Sequence, residues 1–300
     1  MPADALAALE TWISQQPGYS ASLASLSEFY ALHPLFKTEL KGRLCQVIDA
    51  SPTTILAVDN SRIFQRVAIL ITTISDLQVR LGSVRGSPVI ALDTEGFAED
   101  GVSLLQIGWP GGLPLLIDLD AMKGEAEEVA RLLRHFFSSD SIKLIHDCHE
   151  DARLLTRQFQ MEPPARLVDC QIVHEYKTMA TTSVDFHLGF AALLKNYGAP
   201  QSMVHTLKSE MKVDMRKTQG LFTRRPLTAA QIRYAADDVR LLLEAWQHGT
   251  LGVDGEVLDM LNAASTRRWA SAARASFIAR MEISTLGVLL KYGVMSGARR

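Results

Sequence analysis

From Ile69 onward, short apolar runs alternate with segments whose apolar residues recur at helical spacing. That alternation confines the chain to few architectures. A run too short for a buried helix reads as a buried strand, and strands separated by helices imply a sheet with helices on its faces. Strands are expected over 88–95, 103–109, 114–119 and 142–146, and helices over 75–81, 125–137, 149–159, 186–197 and 228–248. Three strands come in succession before helices and strands alternate, so the fold class is α/β with a mixed sheet flanked by helices.

Residues 1–67 read differently. Asp4 is placed to cap a helix over 5–15, and further helices over 22–32 and 37–49 are separated at Pro34. In TTILAVDNSRIFQRV, two apolar runs flank Asp59-Asn60-Ser61, a turn signal that predicts a β-hairpin. Two readings of this part stand: a small, mostly helical, winged-helix-like module, or a helical extension packed on the main domain. Residues 256–281 predict one or two closing helices. The chain thus divides into 1–67, a central domain over 68–250, and a C-terminal helical extension over 251–300. Its tail is basic: 266–300 holds seven basic residues and one acid.

Composition bounds the function. Hydrophobic residues are 47% and charged residues 21%, enough apolar material for a sizeable core, which excludes disorder as the main state. Lys+Arg 31 against Asp+Glu 33 gives a net charge of −2. That excludes a polybasic coat, so any nucleic-acid binding must come from a local patch. Cys45, Cys148 and Cys170 form no CxxC pair, which argues against a disulfide framework or a structural zinc site and for a reducing compartment. The start, MPADALAALETW, lacks the form of a secretory signal, and the apolar run over 67–74 is too short to span a membrane. A cytoplasmic or nuclear protein with no membrane partner is expected.

Four acids stand out. In VIALDTEG the apolar run 89–92 ends in Asp93 and Glu95, two apart, so strand geometry turns both carboxylates to one face. Such a pair is costly when buried unless a cation neutralises it; taken alone, the motif reads more simply as a strand end emerging into solvent. In LIHDCHEDARLL, Asp147 and Glu150 are spaced as a capping pair, with Asp147 as N-cap. Asp151 precedes Leu154 and Leu155 by three and four residues, on the face the helix should bury. There it either accepts from free helix N–H groups or binds a metal. In RPLTAAQIRYAADDVRLLLEAW, Thr228 and Gln231 form a capping box. Arg233, Asp237, Arg240 and Glu244 line one charged face, whereas Asp238 is turned about 100° away and follows Tyr234 by one turn. By itself that pair reads as a core-edge tyrosine bonded to Asp238. Jointly, the four acids suit hard divalent cations, of which two together clamp both oxygens of a phosphoryl displacement.

The motifs DTEG, IHDCHEDARLL and Tyr234–Asp238 within RPLTAAQIRYAADDV, taken in this order, resemble the DEDD superfamily of 3′–5′ exonucleases. More narrowly they resemble its DEDDy, ribonuclease D-like branch. The resemblance covers residues 69–249 and implies a ribonuclease H-like fold. It also implies two divalent cations, Mg²⁺ or Mn²⁺, and hydrolysis from a 3′ end to nucleoside 5′-monophosphates. Asp93 would bridge both ions, Glu95 and Asp238 would complete the site of the water-activating ion, Asp151 would serve the second, and Tyr234 would position the nucleophile. No role is assigned to Gln106. The wording of DTEG and HDC is most similar to the eukaryotic exonuclease-domain group that includes Egalitarian, some of whose members lack acids and act as scaffolds. Residues 250–300 are too few for the C-terminal helical domains of ribonuclease D, which argues against tRNA processing. The N-terminal part resembles a LOTUS-type winged helix, which implies protein partners through that module.

The stretch 205–225 carries Lys208, Lys212, Arg216, Lys217, Arg224 and Arg225 against Glu210 and Asp214. It is either a solvated loop or a binding segment for backbone phosphates beside the third motif. Phe222 either stacks a base or belongs to the core. Single-stranded nucleic acid, RNA on the family context, is the expected partner. The competing readings are a nucleic-acid-binding scaffold without catalysis and a DNA-directed exonuclease.

Overall fold

The computed structural model describes residues 2–14, 20–40, 43–44, 56–59, 62–65, 67–97, 101–179, 188–197, 220–247, 251–253 and 255–291. The chain forms two compact units, Met1–Val67 and Ala68–Arg300.

In the first unit, helices α1 (Pro2–Ser14), α2 (Leu26–Leu32) and α3 (Pro34–Leu40) enclose Leu9, Trp12, Ile13, Phe29 and Leu40. Pro34 opens α3, where its missing N–H costs no helical hydrogen bond. Strands β1 (Ser20–Ser22), β2 (Leu56–Asp59) and β3 (Arg62–Gln65) form an antiparallel sheet in the order β1-β3-β2. The hairpin read around residues 59–61 is β2–β3, with Leu56 opposite Gln65.

The second unit is built on a mixed sheet of β4 (Ile69–Ile71), β5 (Val89–Phe97), β6 (Gly101–Gly108), β7 (Leu115–Asp118), β8 (Ile142–Ile145) and β9 (Leu167–Asp169). Its order is β4-β7-β6-β5-β8-β9. The β5–β6 and β6–β7 pairs are antiparallel and the other three parallel. Ile90 and Leu92 face the core under α4 (Ile74–Val84), α5 (Ala126–Phe137) and α6 (His149–Phe159). Val89 and Ala91 face the opposite core under α7 (Cys170–Met179), α8 (Phe190–Asn196) and α9 (Ala229–Gln247). The expected mixed sheet flanked by helices is present. Each large apolar side chain buried in it contributes about 1.5–3 kcal/mol.

In this unit several elements go beyond the sequence reading. β4 and β9 are three-residue strands, too short to show a period of two. α7 carries Gln171, His174, Glu175 and Lys177, which blur its apolar stripe. The closing segment is one helix, α10 (Gly255–Lys291). Its Leu261 joins the core on one side of the sheet, and Trp269 and Ala272 join the other. It wraps the outermost strand: Asn262 Nδ2 donates to Leu167 O at 2.9 Å and Asp169 N to Ser265 Oγ at 2.8 Å. Those strand-edge groups would otherwise lie open. Among the described residues, no helix is long and apolar enough to cross a membrane.

Candidate active site

Alternation along β5 puts Asp93 and Glu95 on the face already set by Val89 and Ala91, under α9. Just past Glu95 the register slips: Glu95 pairs with Leu104 but Gly96 with Val102, so Ser103 is bulged. Gly96 is required there, because a Cβ would stand 2.3 Å from Gly101 O. On β6, a Cβ at Gly108 would meet Val239 and Leu243 at 3.0 Å; the bare backbone lets α9 lie directly on the sheet. This approach delivers Asp238 to the pair. Asp93, Glu95 and Asp238 each offer an oxygen, and the three lie within 4.8 Å of one another. Glu95 and Asp238 are buried. A cluster of hard anionic oxygens fits a divalent cation.

Asp151 lies outside this trio. It is buried in the first turn of α6, and its Oδ1 accepts from Thr94 Oγ1 at 2.6 Å. Thr94 sits between the two strand acids and points to the opposite face, toward α6. Burial, then the nearby Asp93 charge, pushes the Asp151 carboxyl well above its ordinary range; the Thr94 bond opposes the shift. The start of α6 differs from the capping pair read at Asp147 and Glu150. Asp147 adopts a left-handed φ of 56°, and Cys148 is the N-cap residue. The N–H groups of Asp147 and Cys148 donate instead to the buried Asp169, at 2.8 and 3.1 Å. Glu150 pairs with Arg153 at 2.6 Å. A cap supplied from the end of β9 satisfies the same donors with a carboxylate already fixed by the sheet.

The capping box read at the start of α9 is formed: Thr228 N donates to Gln231 Oε1 at 2.7 Å and Gln231 N to Thr228 Oγ1 at 3.3 Å. One turn on, the buried Tyr234 packs its ring on Phe222 at 6.1 Å. Burial, with Glu95 and Asp93 nearby, raises the Tyr234 hydroxyl above the ordinary phenol value. Phe222 is itself buried, so of its two readings the core role is the one realised. Gln106 lies opposite Asp93 across the ladder. Its amide is satisfied only with Nε2 toward Asp93, donating to Oδ2 and to the backbone oxygen at 3.1 Å each.

Arg225 requires a correction. Its Nε and Nη2 donate to Asp118, at 2.5 and 2.7 Å, and Nη1 to Phe222 O and Arg224 O, at 2.6 and 3.0 Å. Nη2 also reaches Ser103 O at 3.4 Å. Every N–H of the guanidinium is spent inside the protein, so Arg225 braces the approach to α9 and does not reach for a phosphate. The reason is Asp118, an acid only 2% exposed that needs a cation. Arg224 is exposed. Lys208, Lys212, Arg216 and Lys217 lie outside the described residues.

The residues missed in sequence are Thr94, Asp169 and Arg225's partner Asp118; Gln106, named there without a role, holds Asp93. A shared signal marks Asp169 and Asp118: a polar group ending an apolar run, as in LVD and LLID.

A mixed α/β sheet that gathers carboxylates over its central strand defines a class of domain suited to divalent-metal chemistry. The chain belongs to the 3′–5′ exonuclease family, whose family model matches residues 68–248, and that family implies divalent metal use. It is similar to ribonuclease D of Pseudomonas paraeruginosa, 30% identical over 168 residues covering 54% of this chain and 38% of that protein. It is also similar to ribonuclease D of a Shewanella species, 27% identical over 176 residues covering 57% and 40%. The chain thus spans about two-fifths of the length of the curated relatives it matches. Among solved structures, it is similar in fold to Trypanosoma brucei RNase D bound to GMP, with a TM-score of 0.58 and 21% identity over 68% of this chain and 63% of that one. The same trypanosomal protein in complex with RNA U12 matches with a TM-score of 0.55 and 20% identity over 68% and 70%.

Proposed function

We propose that this chain removes nucleotides from the 3′ end of single-stranded RNA, releasing nucleoside 5′-monophosphates, with two divalent ions, Mg²⁺ or Mn²⁺. The observation that carries this reading is the convergence of Asp93, Glu95 and Asp238 within 4.8 Å, beside a buried fourth acid, in a chain of the exonuclease family. Asp93, Glu95 and Asp238 would hold one ion, and Asp93 and Asp151 the second. Ions bound there supply neutralising charge at the transferring phosphoryl group and acidify water. Tyr234, kept protonated, orients the attacking water through its hydroxyl. Gln106 and Thr94 hold the Asp93 and Asp151 carboxylates in place.

The choice of RNA is supported by the ribonuclease D relatives and by the trypanosomal RNase D crystallised with RNA. Arg224, with Lys208, Lys212, Arg216 and Lys217, is proposed to contact backbone phosphates. The N-terminal unit, with α1–α3 and the antiparallel β2–β3 hairpin among its described residues, is proposed as a winged-helix-like module that contacts protein partners, in the cytoplasm or nucleus.

The test uses matched, 5′-labelled RNA and DNA oligonucleotides. RNA shortens from its 3′ end with Mg²⁺ or Mn²⁺, and EDTA stops it. Asp93→Asn lowers the rate by at least about 10³-fold, the equivalent of roughly 4 kcal/mol of lost charge stabilisation. Binding without cleavage at any metal concentration refutes catalysis, and faster trimming of DNA refutes the substrate.

A further inference from the structure

Helix α10 begins beyond the residues matched by the exonuclease family, 68–248, yet one of its side chains reaches the loop that aims Asp151. Arg268 Nη2 donates to Asp147 Oδ1 at 2.6 Å, and its Nε lies 3.3 Å from Asp169 Oδ2. Its Nη1 lies 3.5 Å from Glu175 Oε1. Asp169 is fully buried and is the carboxylate that accepts from the backbone of Asp147 and Cys148. Asp151 follows Cys148 by three residues, in the same helical turn.

The chain of contacts runs from α10 to the site without a gap. The left-handed backbone of Asp147, φ 56°, is a conformation that a non-glycine residue keeps only when its surroundings hold it. The Asp169 cap on its N–H and the Arg268 clasp on its side chain help to hold it, beside the bond from His149 N to its carbonyl at 2.7 Å. Arg268 also neutralises Asp169, which would otherwise add a buried, unpaired charge beside Asp151. The helix is anchored independently of this clasp, through Asn262, Ser265 and Trp269.

We propose that Arg268 is a positioning residue of the exonuclease site: by clasping Asp147 and Asp169 it holds the first turn of α6, and with it Asp151, in the geometry that binds the second metal ion. The C-terminal helix is therefore part of the catalytic unit. This inference rests on the function proposed above.

The full-length chain tests it. Mn²⁺ binding to the RNA-free protein is read from the loss of the free-ion electron paramagnetic resonance signal, and cleavage is followed against Mn²⁺ concentration. Arg268→Met weakens one of two Mn²⁺ sites 10- to 100-fold, the usual effect of removing a group that orients a ligand. kcat falls at fixed Mn²⁺ while KM for the oligonucleotide stays within twofold. Arg268→Lys restores part of the loss. Trp269→Leu, on the next residue, lowers Tm but leaves both Mn²⁺ sites of the folded fraction intact.

If Arg268→Met does not fold, Asp147→Ala removes the acceptor that Arg268 clasps without touching α10 and must show the same weakened site. Both sites intact in the folded variant overturns the proposal. A wild-type chain that binds Mn²⁺ and cleaves, beside variants equal to it, overturns the role of Arg268 alone. A wild-type chain that neither binds Mn²⁺ nor cleaves overturns the exonuclease reading and this inference together.

Discussion

Thr94 Oγ1 donates a 2.6 Å hydrogen bond to Asp151 Oδ1, joining the middle of one acidic motif to the acid of the next, 57 residues away. The strand alternation that sends Asp93 and Glu95 to one face sends Thr94 to the other. A single strand therefore places two carboxylates and orients another. The bond favours the ionised Asp151 against burial and the Asp93 charge.

Replacing Thr94 by the isosteric valine removes that donor and pushes the Asp151 carboxyl still higher. The acid limb of the rate–pH profile moves to higher pH, and the Mg²⁺ requirement at neutral pH rises by about 10-fold or more. Profiles measured at saturating RNA check both; an unmoved acid limb rules out the role given to Thr94.

Asp151 carries a stability signature of its own. Its folded pKa is raised above the unfolded value, so its contribution to stability is fully present below the unfolded pKa and is lost as pH rises through the folded one. In EDTA, Asp151→Asn is therefore more stable than wild type at neutral pH, and the gap narrows on acidification. Each kcal/mol gained raises Tm by about 2–4 °C in a domain of this size. Mg²⁺ closes the gap by stabilising only the wild type. Melting curves against pH, with and without Mg²⁺, decide the matter.

Tyr234→Phe keeps the ring against Phe222 and removes only the hydroxyl. kcat falls by about 10²-fold, while KM and Tm hold. The wild type shows no loss of rate up to pH 9 from this group, because the phenol titrates above its ordinary value. A fall in Tm that accounts for the lost activity would contradict the assigned role.

Arg225→Ala strands the buried Asp118 and costs about 2–4 kcal/mol of stability in chemical denaturation. The slope of log affinity against log salt stays as in wild type, whereas a phosphate contact would reduce it by about one. A reduced slope with intact stability would restore Arg225 to the substrate.

Much of the site is legible locally because its chemistry coincides with periodicity. Asp93 and Glu95 share a face through the strand period of two, Asp151 interrupts the apolar stripe of α6, and Tyr234 and Asp238 stand one helical turn apart. The same regularity locates β5, α6 and α9. β9 and α7 escape because a three-residue strand and a polar helix hold too little pattern to register. Asp147 reads as a cap from spacing, yet Asp169 takes the role: spacing cannot report a better placed acid that arrives from another strand.

The sequence by itself determined the elements with a clear period, the faces they bury and the acids available, since these follow from side-chain type at short separation. Only the tertiary structure decided which groups meet. Thr94 with Asp151, Gln106 with Asp93, Arg225 with Asp118 and Arg268 with Asp147 are pairings across strands and helices distant in the chain. Such contacts are selected by the packing of whole layers, where a buried charge or donor must find its partner or cost the fold its stability.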